Sequence, residues 1–179
     1  MTEQKGISLA IAGATGAVGE ALLEILEERK FPVANLHLLA SARSEGKRLQ
    51  FRGKGIRVER LDQFDFSTVQ LGLFSAGGAV SAEFAPKAAA AGCIVIDNTS
   101  QFRYEPDIPL IVPEVNAHRI PEHSKRNIIA NPNCSTIQMV VALKPIHDRA
   151  RIRRINVATY QAVSGAGTSA IRELAGQTA

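Results

Sequence analysis

At 179 residues, 45% hydrophobic and 21% charged, the chain is long enough to bury a full core and has an ordinary globular composition. No apolar run approaches the roughly 18 residues of a membrane helix, and Met1-Thr2-Glu3-Gln4-Lys5 lacks the apolar stretch of a signal peptide; the cytoplasm is therefore the expected compartment. The net charge of +4 suits small anionic ligands better than nucleic acid, and Cys93 and Cys134 have neither metal-ligand spacing nor a disulfide framework, so no metal is expected.

In chain order, Ile7 to Ala12 reads as a buried strand and Ala17 to Arg29 as a helix with Val18, Leu22, Ile25 and Leu26 on one apolar face. Leu36 to Ala40 is a second strand. Further strands are predicted at 56–58, 71–75, 94–97, 110–112 and 128–130, with an alanine-rich helix from Ala79 to Ala91. Strands separated by helices argue for an α/β, Rossmann-like, mainly parallel sheet covered on both faces. Prolines 106, 109, 113, 121 and 132 mark the stretch after Ser100 as mostly connection with short strands. A long helix from Cys134 and a strand from Ile155 to Val163 then begin a second, α+β unit. The expected division is 1–132 for nucleotide binding and 133–179 for the start of a catalytic and dimerisation unit.

The glycines of Gly13-Ala14-Thr15-Gly16-Ala17-Val18-Gly19 follow one predicted strand and open one predicted helix. In that context unpaired N–H groups at the helix start can receive a pyrophosphate. A tight turn that merely lets helix pack on strand is the plainer alternative. The second strand ends in Ser41-Ala42-Arg43-Ser44, without the acid that commonly holds the ribose hydroxyls of NAD. Arg43 with Ser41 and Ser44 can instead bind a 2′-phosphate, pointing to NADP, unless Arg43 is simply a solvated loop residue.

Cys134 lies in Asn131-Pro132-Asn133-Cys134-Ser135-Thr136, between an apolar strand and a helix start. Free N–H groups and the helix dipole at such a junction favour a thiolate. Free cysteine is also often a small buried hydrophobe, and Cys93, inside Cys93-Ile94-Val95-Ile96, reads that way. His37, His118, His123 and His147 read as surface residues, none an evident base for Cys134. A nucleotide site and a nucleophile in one chain suggest redox chemistry at an acyl carbon.

Seven ordered motifs resemble those of the bacterial aspartate-semialdehyde dehydrogenase family. Besides the glycine, Ser41–Ser44 and Cys134 motifs they are Phe74-Ser75-Ala76-Gly77-Gly78, Asp97-Asn98-Thr99-Ser100-Gln101-Phe102-Arg103, Pro113-Glu114-Val115-Asn116 and Tyr160-Gln161-Ala162-Val163-Ser164-Gly165-Ala166-Gly167. The resemblance implies NADPH-dependent reductive dephosphorylation of L-4-aspartyl phosphate to L-aspartate 4-semialdehyde, on the route to lysine, methionine and threonine. It implies Cys134 as nucleophile, Asn133 as an oxyanion donor, Gln161 as the residue orienting substrate and Arg103 as the phosphate ligand. It places Ser75, Gly77, Ser164 and Gly165 with Gly13 to Val18 and Ser41 to Ser44 around the cofactor, and implies a homodimer or homotetramer. On residues alone Arg103 serves equally as a salt-bridge partner, and Gln161 as a buried amide.

The resemblance corresponds to about the N-terminal half of the family's chain. Residues 133–179 offer one helix, one strand and the start of another helix, too little to bury their own apolar faces, so a piece of a larger protein is expected. The family's catalytic histidine, substrate-carboxylate arginine and phosphate-binding lysine are not among these residues, and the piece alone is expected to be inactive. Two alternatives remain at this level: N-acetyl-glutamyl-phosphate reductase, and a non-catalytic nucleotide-binding remnant.

Overall fold

The computed structural model of the chain describes residues 6–178. Its first strand, β1 (Ile7–Ala12), is apolar to its end, and Leu9 to Ala12 are completely buried. Such a run fits a central parallel strand covered on both faces. The chain continues through α1 (Ala17–Glu28), β2 (Val33–Ala40), β3 (Arg48–Phe51), β4 (Lys54–Arg60), β5 (Leu71–Phe74), α2 (Gly78–Ala90), β6 (Ile94–Asp97) and β7 (Ile128–Ala130). The sheet order is β3-β4-β2-β1-β5-β6-β7, and every pair except the β3–β4 hairpin is parallel. This is the α/β, Rossmann-like architecture expected from the sequence.

Side chains alternate across the strands and divide the core in two. Ala10, Ala12, Leu39, Phe74, Val95 and Ile128 pack with Ala85 and Ala88 of α2, while Leu9, Ile11, Leu38 and Val58 pack with Leu23 and Leu26 of α1. The carboxyl ends of β1, β2, β5 and β6 consequently meet the amino ends of both helices along one rim, where open α/β sheets bind ligands.

Three expectations need correction. The buried stripe of α1 is Gly19, Leu23 and Leu26, while Val18 and Ile25 are exposed, because Gly19 must lie against the Gly13-Ala14 turn and that contact fixes the helix rotation. Residues 110–112 form no strand, only a single parallel bridge between Leu110 and Ala130. Pro113 starts the short helix α3 (Pro113–Asn116) at once, and the Val112 N–H donates to Asn116 Oδ1 at 2.8 Å instead of to a ladder.

The third correction concerns the segment beyond α4 (Cys134–Ala150), where residues 151–162 have no regular structure in place of the expected strand. A strand is held by the partner it hydrogen-bonds to, and among the described residues none pairs with this segment. A 3-10 turn at Val163–Ala166 then leads into α5 (Thr168–Thr178). Neither α4 nor α5 has a buried residue. Among the described residues no helix is long and apolar enough to cross a membrane.

Candidate active site

At the end of β1 the backbone turns through Gly13, whose φ of +87° is left-handed and whose hydrogen in place of a Cβ leaves room for the Ala76 backbone, 2.9 Å from where that Cβ would stand. Gly13 and Ala14 donate their N–H groups to the Leu39 carbonyl at 2.8 and 3.2 Å, tying the turn to the end of β2. Gly19, one turn into α1, has no room for a side chain against the Gly13 carbonyl oxygen. The glycines thus allow a close strand-turn-helix junction. Gly16 caps α1 without any side-chain hydrogen bond, so its first-turn N–H groups have no capping acceptor and suit an anion.

Gly13, Thr15 and Gly16 line a cleft of about 550 Å³ together with Ser41, Ala42, Arg43 and Ser75. Thr15 Oγ1 lies 3.5 Å from Ser44 Oγ, linking the glycine turn to the loop that carries Arg43. Sequence reasoning missed the rest of the wall: Ala40 at the end of β2, Ala76 after β5, Leu61 and Asp62 just after β4, and Val80 and Phe84 on α2. The available signal was topological, since residues ending a parallel strand beside β2 reach the same rim. Ala14 is fully buried behind the turn and lines none of the clefts described here.

A second groove continues from the first, sharing Gly16, Ser75 and Ala76, and adds Ala17, Val18, Gly77, Ser164 and Gly165. Ser164 and Gly165 in turn line a third cleft with Cys134, Ser135, Gln138 and Gln161. The three spaces therefore share walls in turn, from Arg43 at one end to the thiol at the other.

Asn133 caps α4 by accepting from the Ser135 N–H at 3.0 Å and the Ser135 hydroxyl at 2.6 Å. Cys134 is the first residue of that helix and is exposed, and Gln161 Nε2 lies 3.9 Å from its sulfur. The loop leading to Cys134 is held from behind. Arg103 donates through Nε to the Asn131 carbonyl at 3.0 Å and through Nη2 to the Asn98 carbonyl at 3.1 Å. Asn131 Nδ2 donates to Asn98 Oδ1 at 2.6 Å, and the fully buried Asp97 accepts from the Ser81 and Thr99 hydroxyls, each at 2.7 Å. Among the described residues Arg103 forms no salt bridge, and its guanidinium spans the two loops that end β6 and β7.

Cys93 is the opposite kind of thiol: it is completely buried, and burial pushes its pKa up to about 11. No histidine lines the cleft at Cys134. His37 pairs with Glu59 at 2.9 Å on the far side of β2, and His123 keeps a buried Nδ1 without a hydrogen-bond partner among the described residues. Among the described residues no three His, Cys, Asp or Glu side chains gather as a metal site.

Comparison with known proteins matches residues 8–123 to the semialdehyde dehydrogenase NAD binding domain and 143–179 to the semialdehyde dehydrogenase dimerisation domain. Aspartate-semialdehyde dehydrogenase 2 of Vibrio cholerae is 66% identical over 172 residues, which are 96% of this chain and 51% of that protein. The crystal structure of Vibrio cholerae aspartate semialdehyde dehydrogenase II complexed with ASA superposes with a TM-score of 0.95 at 63% identity, covering 98% of this chain and 52% of the other. The Candida albicans enzyme with NADP superposes with a TM-score of 0.65 at 26% identity, over 82% of this chain and 48% of its own. The chain spans about half the length of the curated relatives it matches.

Proposed function

The chain belongs to the semialdehyde dehydrogenase family, and from that premise we propose that it supplies the cofactor clefts and the nucleophile of an aspartate-semialdehyde dehydrogenase. The observation that carries this reading is the row of three clefts, each sharing walls with the next, from Arg43 to Cys134. Residues 1–132 form the dinucleotide-binding unit, and 133–179 contribute the thiol and the start of a catalytic and dimerisation unit, in a cytoplasmic homodimer or homotetramer. The NADP found with the Candida albicans relative is consistent with the cofactor fit here. The Gly13 turn leaves room for a close backbone approach, the first turn of α1 is uncapped, and Arg43 lines the far end beside Ser41. No acid ends β2, so Arg43 and the serines select a 2′-phosphate.

Cys134, as thiolate, attacks the acyl carbon of L-4-aspartyl phosphate; the carbon–sulfur bond forms, the carbon–oxygen bond to phosphate breaks, and a thioester remains on the sulfur. A thioester accepts hydride more readily than the ester that an oxygen nucleophile would give. The nicotinamide cofactor supplies that hydride when bound. Gln161, 3.9 Å from the sulfur, orients the acyl group, while Asn133, whose Oδ1 is taken by Ser135, keeps its Nδ2 donor for the developing oxyanion. Arg103 keeps the Cys134 loop in place through two carbonyls, and the N–H groups those bonds leave over are its means of binding the transferred phosphate.

Proton transfer requires a group beyond the four histidines, none of which reaches the Cys134 cleft. Residues 1–179 alone are therefore expected to turn over about two to four orders of magnitude more slowly than a full-length relative. Phosphate-dependent NADPH formation from aspartate semialdehyde, run side by side on both, checks this, and comparable rates would show that the chain is self-sufficient. Isothermal titration tests the cofactor end. NADPH should bind more tightly than NADH, and Arg43→Glu should abolish the difference; equal wild-type affinities would remove Arg43 from its role.

A further inference from the structure

The cleft that holds Arg43 also contains a carboxylate, which a site built only for phosphates would avoid. Asp62 lines it in the turn just after β4, and β4 lies beside β2, with Arg60 paired to Ala40 at the shared rim. The two charged residues therefore occupy neighbouring loops of one cleft. Arg60 orients the Asp62 carboxylate from behind, donating through Nε to Oδ1 at 3.1 Å and through Nη2 to Oδ2 at 2.6 Å. That pairing also holds the Asp62 carboxyl below its ordinary pKa, so it remains an acceptor at neutral pH. Each oxygen retains a second lone pair.

Leu61, Val80 and Phe84 form the apolar part of the same cleft. An apolar slot ending in an ionised acceptor suits a flat heterocycle with an N–H donor on its edge. A 6-aminopurine presents such a donor at position 6, whereas a purine with hydrogen at that position presents none. We propose that Asp62 is the base-reading residue of the dinucleotide site, accepting a hydrogen bond from the adenine 6-amino group and discriminating against dinucleotides whose purine lacks that group. This rests on the cofactor reading above, but concerns a different end of the ligand from Arg43.

The test is isothermal titration of the chain with NADPH and with its analogue in which hydrogen replaces the adenine 6-amino group, so that the two ligands differ only at the purine 6-position and N1 remains an acceptor in both. Wild type should bind NADPH about tenfold more tightly, as for one charge-assisted hydrogen bond. Asp62→Asn keeps a neutral, weaker acceptor and should reduce the preference, and Asp62→Ala keeps none and should bring the two ligands within about twofold. Neither substitution touches Arg43, so the preference for NADPH over NADH should survive in both. Base discrimination that is absent in wild type, or undiminished in both variants, overturns the assignment of Asp62 while leaving the 2′-phosphate site standing. Failure of every dinucleotide to bind overturns the cofactor reading and this inference together.

Discussion

The sheet body and the segment from Cys134 onward have similarly apolar sequences and opposite fates. In the body, β1 lies between β2 and β5, and Leu9 to Ala12 lose all contact with solvent. In the later segment Ile155, Val157 and Tyr160 are 50%, 64% and 100% exposed, and Ile146 of α4 and Leu174 of α5 also face outward. Helices form in both regions because their hydrogen bonds are internal; strands and cores form only where neighbours complete them. The thiol sits at the junction, its position fixed by the body through Arg103 and Asn131 and its other surroundings drawn from the exposed segment.

The largest expected contrast is in stability. Leu38→Ala removes a fully buried side chain packed between β2 and α1 and should cost about 3 kcal/mol, within the usual range of such truncations. Val157→Ala, at a mostly exposed position, should change stability by less than about 0.5 kcal/mol. Urea unfolding of the two variants measures both. A comparable loss from Val157→Ala would mean that residues 151–162 are packed in solution, and the contrast between the regions would disappear.

The thiols sharpen the same comparison at the level of chemistry. Cys134 is exposed at a helix start, whereas Cys93 is enclosed and its pKa is pushed up to about 11. At neutral pH iodoacetamide should therefore modify Cys134 at least about a hundredfold faster than Cys93, followed by peptide mass spectrometry. Preferential labelling of Cys93 would reverse the assignment of nucleophile and core residue.

What the sequence revealed follows the same division. Apolar runs located β1, β2, β5, β6 and β7 because each is long or continuous enough to declare a buried strand. The hairpin partner β3 escaped notice: its four residues, Arg48 to Phe51, lead into an Arg52-Gly53 turn instead of a familiar Asn-Gly pair. Residues 155–163 alternate well enough to suggest a strand, but alternation specifies a face and cannot supply an edge to pair with. At the site, glycine spacing and the Cys134 context could be read locally, whereas Leu61, Asp62, Val80 and Phe84 join the cleft only through the sheet order. The carbonyl contacts of Arg103 likewise depend on β6 and β7 ending side by side.

The smallest predicted effect uses Cys93 to report on the body alone. Its folded pKa of about 11 lies above the 9.0 of an ordinary thiol, because burial disfavours the thiolate. Below pH 9 the thiol is protonated in both folded and unfolded chains, and the stability associated with it is fully present. As pH rises from about 9 to 11 the unfolded chain releases the proton first, so stability falls; above that range both states are ionised and the decline from this group ends. The loss should be on the order of 2 kcal/mol. Other groups titrate in the same window, so the measured quantity is the difference between the urea-unfolding pH profiles of wild type and Cys93→Ala. The variant should start lower at pH 8, having lost buried volume, and then decline less steeply. Parallel profiles for wild type and Cys93→Ala would show that the Cys93 site admits water, and with it that the body is less completely closed than the contrast between the two regions requires.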